Sequence, residues 1–148
     1  MKRERRKARA LALQTLYEVD SVGHSAEAVI ARHIDENSAL GDEGVAFLRQ
    51  LVLGTLQLSA GLDRLIAASA PEWPVNELAV IDRNILRLAI WEFAVSGQTP
   101  LKVAINEAVE LAKLFGSDSA PRFVNGVLGT LAEHQGEIRQ QVAQLMQE

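Results

Sequence analysis

Cysteine is absent from this chain of 148 residues. Disulfide bonds, thiolate metal sites and a cysteine nucleophile are therefore excluded, and the lack of disulfides fits a reducing cytoplasm. Apolar runs are also short, because charged or amide residues interrupt them well before the roughly 20 residues that a membrane helix needs. Met1–Ala10 is basic but is not followed by the uncharged apolar segment of a signal peptide. We expect an unprocessed cytoplasmic protein with no membrane segment.

Strand patterns are missing as well. Apolar and polar residues do not alternate over a strand length, and no hairpin turn or strand–helix–strand repeat occurs. Apolar residues recur at helical spacing instead, which predicts an all-α protein of about seven helices in one domain. Pro71 and Pro74 flank Trp73 and would end one helix before the next. We place a subdomain boundary there, between helical subdomains of residues 1–70 and 74–148.

The motifs of common catalytic and cofactor sites are absent too. There is no nucleophile elbow, no zinc-protease helix motif and no glycine-rich phosphate loop before a helix. The histidines are scattered, and we expect His24 and His33 to be ordinary surface residues and not metal ligands. Glu107 and Glu110 stand at i, i+3, a spacing that on a helix usually gives a solvated pair. We therefore predict no catalytic site, no metal and no cofactor.

Charge is distributed unevenly along the chain. The formal net charge is −4, but Met1–Ala10 contributes +5 and the remaining residues contribute −9. Apolar residues at helical spacing follow, so the basic run should lead into an amphipathic helix or form its first turns. Cations near a helix N-terminus oppose the macrodipole by up to ~1 kcal/mol each. A bound anionic partner would relieve that conflict, although composition alone fits a solvated basic tail equally well.

The stretch Pro100–Leu128 predicts two helices joined by a tight turn. Gly116 stands where a left-handed helix C-cap would fit, and Pro121 suits the first turn of the next helix. Gly126 and Gly129 weaken that second helix, and we expect the close approach of another backbone to explain them.

A further amphipathic helix is predicted to begin after Asn76, which would cap its N-terminus. Its apolar side should face inward. Four charged residues are expected largely outward, and these are Asp82, Arg83, Arg87 and Glu92. A mixed-charge face usually meets only water, so periodicity alone does not favour a partner there.

Two alternative functions stay open from the residues alone. A helix-turn-helix DNA-binding regulator is one, because a short glycine-containing turn joins two helices at Phe115–Pro121. Only Arg122 and Asn125 could read bases near the start of its second helix, and most of the positive charge lies at the other end of the chain. That distribution fits single-stranded RNA better than a duplex groove. The second alternative is a helical scaffold that binds only proteins.

Three segments together resemble the NusB family of bacterial transcription antitermination factors. They are KARALALQTLY (Lys7–Tyr17), PLKVAINEAVELAKLFG (Pro100–Gly116) and RFVNGVL (Arg122–Leu128). Their order and spacing match the family, and the middle segment is the most specific. Certain rRNA cytosine methyltransferases begin with the same helical module but continue into a cofactor-binding domain, which we do not expect in this chain.

The resemblance implies an adaptor and not an enzyme. It implies binding of boxA-type RNA, found in ribosomal RNA leaders, together with NusE, which is also a small-subunit ribosomal protein. The pair would then join the RNA polymerase elongation complex with other Nus factors. A homodimer that covers the RNA surface is left open.

Site residues follow from the same resemblance. RNA binding is assigned to the basic start with Tyr17 and to the turn after Pro100–Gly116, which together comprise Lys2, Arg3, Arg5, Arg6, Lys7, Arg9, Tyr17, Phe115, Ser117, Asp118, Ser119, Arg122 and Phe123. NusE binding is assigned to Asp82 and Arg83. Phe123 is either a core residue or an aromatic ring beside the RNA, and composition alone favours the core.

Overall fold

The structure is a computed structural model that describes residues 2–147. Met1 and Glu148, the ends of the predicted domain, lie outside the described residues. Within residues 2–147 there are eight α-helices and no β-strand, which confirms the all-α prediction: α1 (Lys2–Val22), α2 (Ala26–Glu36), α3 (Asp42–Gln57), α4 (Ser59–Ser69), α5 (Val80–Ile90), α6 (Leu101–Phe115), α7 (Ala120–Glu133) and α8 (Gln135–Gln147). No single one of them is long and apolar enough to cross a membrane, and α3 and α4 pass that test only when taken together.

The chain forms two compact units, Met1–Gln57 with α1 to α3 and Leu58–Glu148 with α4 to α8. This division precedes the proline-flanked stretch at residues 70–74, where the sequence places its subdomain boundary. That subdomain boundary stays a prediction.

In the first unit, α1 packs mainly along α3 and also contacts α2. The apolar stripe of α1 explains this packing, because Ala8, Leu11, Ala12 and Leu16 recur at helical spacing and are all buried. Each buried leucine of such a stripe contributes about 1.5–3 kcal/mol relative to an exposed one. Most of the polar residues of α1 therefore lie on the other sides of the helix, although Arg9 and Thr15 are buried.

Glu18 connects the C-terminal part of α1 to α2. Its carboxylate accepts hydrogen bonds of 2.6 and 3.0 Å from the Arg32 guanidinium and lies 2.7 Å from Nδ1 of His24. The hydrogen bonds from Arg32, and to a smaller extent from His24, lower the pKa of Glu18 to about 2. His24 is a surface residue, as predicted.

His33 does not lie on the surface. The prediction that it does is wrong, because α2 contacts both α1 and α3 and the imidazole is buried. Burial lowers the pKa of His33, and its Nε2 has no hydrogen-bond partner among the described residues. His33 is therefore a packing residue of the first unit.

In the second unit, α6 and α7 pack against each other and α5 packs on α6. The inward faces of α6 and α7 carry apolar residues at helical spacing, and their buried members are Ala104, Ala108, Leu111, Ala112, Val124, Val127, Leu128 and Leu131. α4 contacts α5, α7 and α8. The pairing of α6 with α7 fixes the two ends of the turn between them.

α5 differs from its prediction in two ways. It begins at Val80, and Asn76 lies in a separate 3-10 helix (Val75–Glu77), so the predicted cap at Asn76 is wrong. Arg87, expected outward, is only 7% exposed. Its Nε and Nη2 each donate to an Asp63 carboxylate oxygen at 2.7 Å, because α4 covers a second side of α5.

Glu92 is also buried, contrary to prediction. It lies in a π-helical turn (Trp91–Val95) that extends α5, and its Oε2 accepts a hydrogen bond of 2.8 Å from Oγ1 of Thr99. A π-helical turn closes i→i+5 hydrogen bonds, so positions counted at the α-helical period no longer predict which way a side chain faces.

We expect Arg87→Ala to lower the free energy of unfolding by about 2–4 kcal/mol, because it leaves the Asp63 carboxylate without its cation in a partly buried position. The range is below that of fully buried pairs because the Asp63 side chain is 28% exposed. Urea denaturation followed by circular dichroism measures the change. Arg64→Ala, at an exposed position of α4, is the matched control and should change stability by at most about 0.5 kcal/mol. Equal losses in the two variants would contradict the assignment.

Candidate nucleic-acid interface

α1 carries six basic side chains near its N-terminus. Residues four apart lie on the same side of a helix. The six therefore form three pairs, which are Lys2 with Arg6, Arg3 with Lys7, and Arg5 with Arg9. The structure places the three pairs in different surroundings.

Arg5 and Arg9 pack on the face of Phe47 from α3. Their guanidinium carbons lie 4.9 and 5.3 Å from the centre of the ring, which is cation–π geometry. Arg5 also lies 3.4 Å from Glu43, and Arg9 is only 6% exposed. These two arginines therefore attach α1 to α3.

Arg3 and Lys7 are exposed beside an open cavity of about 540 Å³ in the first unit. The rest of its lining is Glu4, Asn37, Ala39, Leu40 and Gly41. The carboxylate of Glu4 accepts a hydrogen bond from the backbone N–H of Gly41. This bond holds the negative charge of Glu4 against the loop before α3.

Lys2 and Arg6 are exposed on the remaining side of α1. Tyr17, which is 45% exposed, lies eleven residues after Arg6. Eleven residues make close to three full turns, so the Tyr17 ring shares the side of Arg6 about 16 Å further along the helix. A nucleic-acid strand that follows α1 would meet cations first and an aromatic ring later.

The second predicted region is the turn between α6 and α7. Most of its predicted residues are exposed, namely Phe115, Ser117, Asp118, Ser119 and Arg122, whereas Phe123 is half-buried. The backbone N–H groups of Ala120 and Phe123 donate to the carbonyls of Ser117 and Ser119, at 3.0 and 3.1 Å. The turn is therefore short and internally hydrogen-bonded.

Gly116 is required in this turn for lack of space and not for a left-handed backbone. Its φ is −92° and its ψ is 179°, so the predicted left-handed cap is wrong. A Cβ at this position would lie 2.5 Å from Cβ of Ala120 and 2.9 Å from the carbonyl oxygen of Ala112. The ends of α6 and α7 approach too closely for any side chain.

Gly126 and Gly129 are not explained by close packing. No described atom beyond their own helix lies within 4 Å of a Cβ built on either residue, so the predicted approach of another backbone is wrong. Both lie on the exposed side of α7. The structure contains no contact that accounts for them.

Asp82 and Arg83, the residues predicted to meet a protein partner, are both half-buried on α5. Oδ1 of Asp82 lies 3.5 Å from where a Cβ of Gly116 would be. Burial raises the pKa of Asp82. The two predicted regions of the second unit are therefore neighbours.

Sequence reasoning missed Trp73 as a surface residue beside the turn. Trp73 is 54% exposed, and its ring meets that of Phe123 nearly perpendicularly at a centroid distance of 6.1 Å. Phe123 is thus neither a core residue nor a free ring. The sequence does contain a signal for Trp73, because prolines stand on both sides of it. Those prolines were interpreted only as a subdomain boundary.

No group of three or more histidine, aspartate or glutamate side chains among residues 2–147 could hold a metal ion. What the two regions offer is cations, hydroxyl groups, backbone N–H groups and aromatic rings. Groups of these kinds bind nucleic acids, by charge at the phosphates and by stacking at the bases.

Comparisons with known proteins point to one family. A NusB family model matches residues 6–133. A transcription antitermination protein NusB from Roseiflexus sp. (strain RS-1) is 49% identical over 137 residues, which are 91% of this chain and 96% of that protein. One from Chloroflexus aggregans (strain MD-66 / DSM 9485) is 46% identical over 130 residues, which are 86% of each.

Solved structures show the same likeness. T. maritima NusB has a TM-score of 0.79 at 30% identity, covering 87% of this chain and 90% of that chain. A crystal structure of the antitermination factors NusB and NusE in complex with dsRNA has a TM-score of 0.78 at 24% identity, covering 95% and 98%. The second likeness shows the fold alone.

We expect Gly116→Ala to destabilise the protein by about 1–3 kcal/mol, because the added methyl group overpacks the turn. Gly126→Ala, in open space on α7, should instead stabilise it by about 0.5–1 kcal/mol through helix propensity. Thermal and urea unfolding of the two variants measure the difference. If Gly116→Ala is as stable as Gly126→Ala, the close approach at the turn is refuted.

Arg9→Ala should cost about 1–2 kcal/mol of stability, because it removes a buried cation from the Phe47 ring. Lys7→Ala, an exposed cation of the same helix, should cost at most about 0.5 kcal/mol. A double-mutant cycle with Phe47→Leu assigns the loss to the ring contact. Additive losses in that cycle would show that Arg9 acts elsewhere.

Proposed function

Because the chain belongs to the NusB family, we propose that it is a transcription antitermination adaptor that binds single-stranded, boxA-type RNA. Its curated relatives carry the name transcription antitermination protein. The observation that carries the proposal is the group of exposed cations on α1, in a chain whose remaining residues are acidic overall. Segregated charge of this kind favours local recognition of a polyanion.

The four exposed cations of α1 are the proposed phosphate contacts, and they are Lys2, Arg3, Arg6 and Lys7. Arg5 and Arg9 have a different role in this proposal. Because both guanidinium groups pack on Phe47, they position α1 and contribute to the local potential without following the strand. Tyr17 adds a ring on which a base can stack.

The turn between α6 and α7 is the second proposed contact. Its local charge is mixed, because Arg122 is opposed by Asp118. Hydroxyl groups and aromatic rings predominate instead, at Ser117, Ser119 and Phe123. Such a surface suits bases, whereas α1 suits phosphates.

Asp82 and Arg83 belong to a proposed second interface, for NusE, a small-subunit ribosomal protein. The position of Asp82 beside Gly116 supports a protein partner that also approaches the RNA-binding turn. This protein and NusE together would join the RNA polymerase elongation complex with other Nus factors.

The NusB family is not a known enzyme family. We propose a binding role for this chain without catalysis and without a cofactor. Its place in the cell would be the cytoplasm, where bacterial ribosomal RNA is transcribed.

Fluorescence anisotropy tests the proposed function directly. The labelled probes are a boxA-like RNA, a scrambled RNA of equal length and a duplex DNA, each with and without NusE. We expect the boxA-like RNA to bind most tightly and NusE to increase the difference. Equal affinity for both RNAs under both conditions would remove the specific adaptor function. Preference for duplex DNA would favour a helix-turn-helix regulator, and NusE binding without RNA binding would favour a protein scaffold.

Salt dependence tests the phosphate contacts. For four to six phosphates, the logarithm of affinity should fall against the logarithm of salt concentration with a slope of about −3 to −4, since each phosphate on a single strand contributes about 0.7. Removing Arg6 and Lys7 together by alanine substitution should make the slope shallower by about 1.4. A slope that is flat, or unchanged in the variant, contradicts the proposed contacts.

A further inference from the structure

Trp73 is held outward by an ordered stretch of chain. Its backbone N–H donates to the carbonyl of Ala70 at 3.0 Å, and Ala70 is itself buried. Pro71 and Pro74 restrict the backbone on either side, because the proline ring fixes φ. The exposure of the indole is therefore a property of the folded chain. Trp91, the other tryptophan, is only 8% exposed.

The rings of Trp73 and Phe123 form an open corner. Their planes meet at 82°, with centroids 6.1 Å apart, so one ring directs its edge at the face of the other. A T-shaped pair has at least one ring face that the partner ring does not cover. When a flat molecule stacks on that face, the edge of the molecule points at the second ring. The corner therefore suits a planar aromatic ligand.

The charges around the corner select a neutral ligand. Glu72 precedes Trp73, and Asp118 and Arg122 belong to the turn that carries Phe123. These charges do not sum to a positive site, so a phosphate group gains little here. A nucleobase is neutral and flat, and its edge carries polar groups that suit hydroxyl partners such as the exposed Ser117 and Ser119 of the same turn, whose Oγ atoms lie 3.3 Å apart.

We propose that Trp73 and Phe123 form a stacking site for one unpaired base of the RNA. The inference rests on the proposed function, because it requires RNA at the turn between α6 and α7. It adds Trp73, from the stretch before α5, as a residue that selects single-stranded RNA. A base within a duplex is already paired and stacked, so it cannot enter the corner without leaving the helix.

Intrinsic fluorescence reports on the corner. The difference in emission between the unaltered protein and Trp73→Phe isolates the signal of Trp73, while the buried Trp91 is common to both. Titration with the unlabelled boxA-like RNA should change this difference signal with the same midpoint as the anisotropy measurement. The same RNA annealed to its complement should change it little. An unchanged difference signal at full saturation with RNA would overturn the stacking site.

Affinity measurements with matched variants separate stacking from structural support. Trp73→Leu keeps an apolar side chain against Phe123 but has no ring, and we expect it to weaken RNA binding about 5- to 150-fold, the range for loss of a base–aromatic stack. Trp73→Phe keeps a ring and should retain most of the affinity. Both variants should unfold at temperatures near that of the unaltered protein, because the indole is largely exposed. Equal RNA affinity for all three proteins would overturn the proposal.

Abasic substitution identifies the base that binds. One nucleotide of the RNA, when made abasic, should lose affinity for the unaltered protein but no further affinity for Trp73→Leu. If every abasic position weakens binding equally in both proteins, no base occupies the corner.

Two other results distinguish failure of the proposed function from failure of the stacking site alone. If the unaltered protein binds none of the RNAs, the proposed function fails and the stacking site fails with it. If RNA binding is normal in Trp73→Leu but NusE binding is lost, Trp73 is a protein contact and only the stacking inference is overturned.

Discussion

Burial of the apolar stripe of α1 against α3 determines the direction of every cation on that helix. Once Ala8, Leu11 and Leu16 face inward, the helical period distributes the basic residues over the remaining sides. Arg5 and Arg9 then lie over Phe47, where the aromatic face compensates part of the cost of bringing two like charges together. The other four cations lie at exposed positions. The packing of α1 on α3 thus separates the cations that stabilise the fold from those that are available, in the proposed function, to contact RNA.

The helices and the chemical character of the site could be predicted from the sequence, because both depend on local patterns. Apolar spacing located α6 and α7, and the concentration of arginine and lysine located the basic part of α1. The division of those cations could not be predicted. It depends on Phe47, a residue of another helix, and nothing in the spacing of the arginines indicates which of them an aromatic ring covers. The same applies to Trp73, whose significance depends on its contact with Phe123.

The structure differs from the sequence-based predictions where one residue type serves several physical purposes. Glycine after a helix predicts a left-handed cap, but Gly116 has extended backbone and is required because Ala120 leaves no space for a Cβ. Charged residues at helical spacing predict a solvated face, but Arg87 finds Asp63 on α4 and becomes buried. In both cases the decisive neighbour comes from another helix. Glu92 differs, because a local π-helical turn changes the period itself.

The two candidate regions differ in what they can recognise. Phosphate contacts provide affinity that is sensitive to salt and nearly indifferent to sequence, whereas contacts with bases provide selectivity. In the proposed function, α1 provides the first and the turn between α6 and α7 provides the second. The mixed charge at the turn matters for this division. If Asp118 and Glu72 were cations, the turn would attract the backbone of any nucleic acid, and stacking would contribute little to the choice among them. In the proposed function, the near-neutral charge of the turn leaves selection among strands to contacts of the bases with its rings and hydroxyl groups.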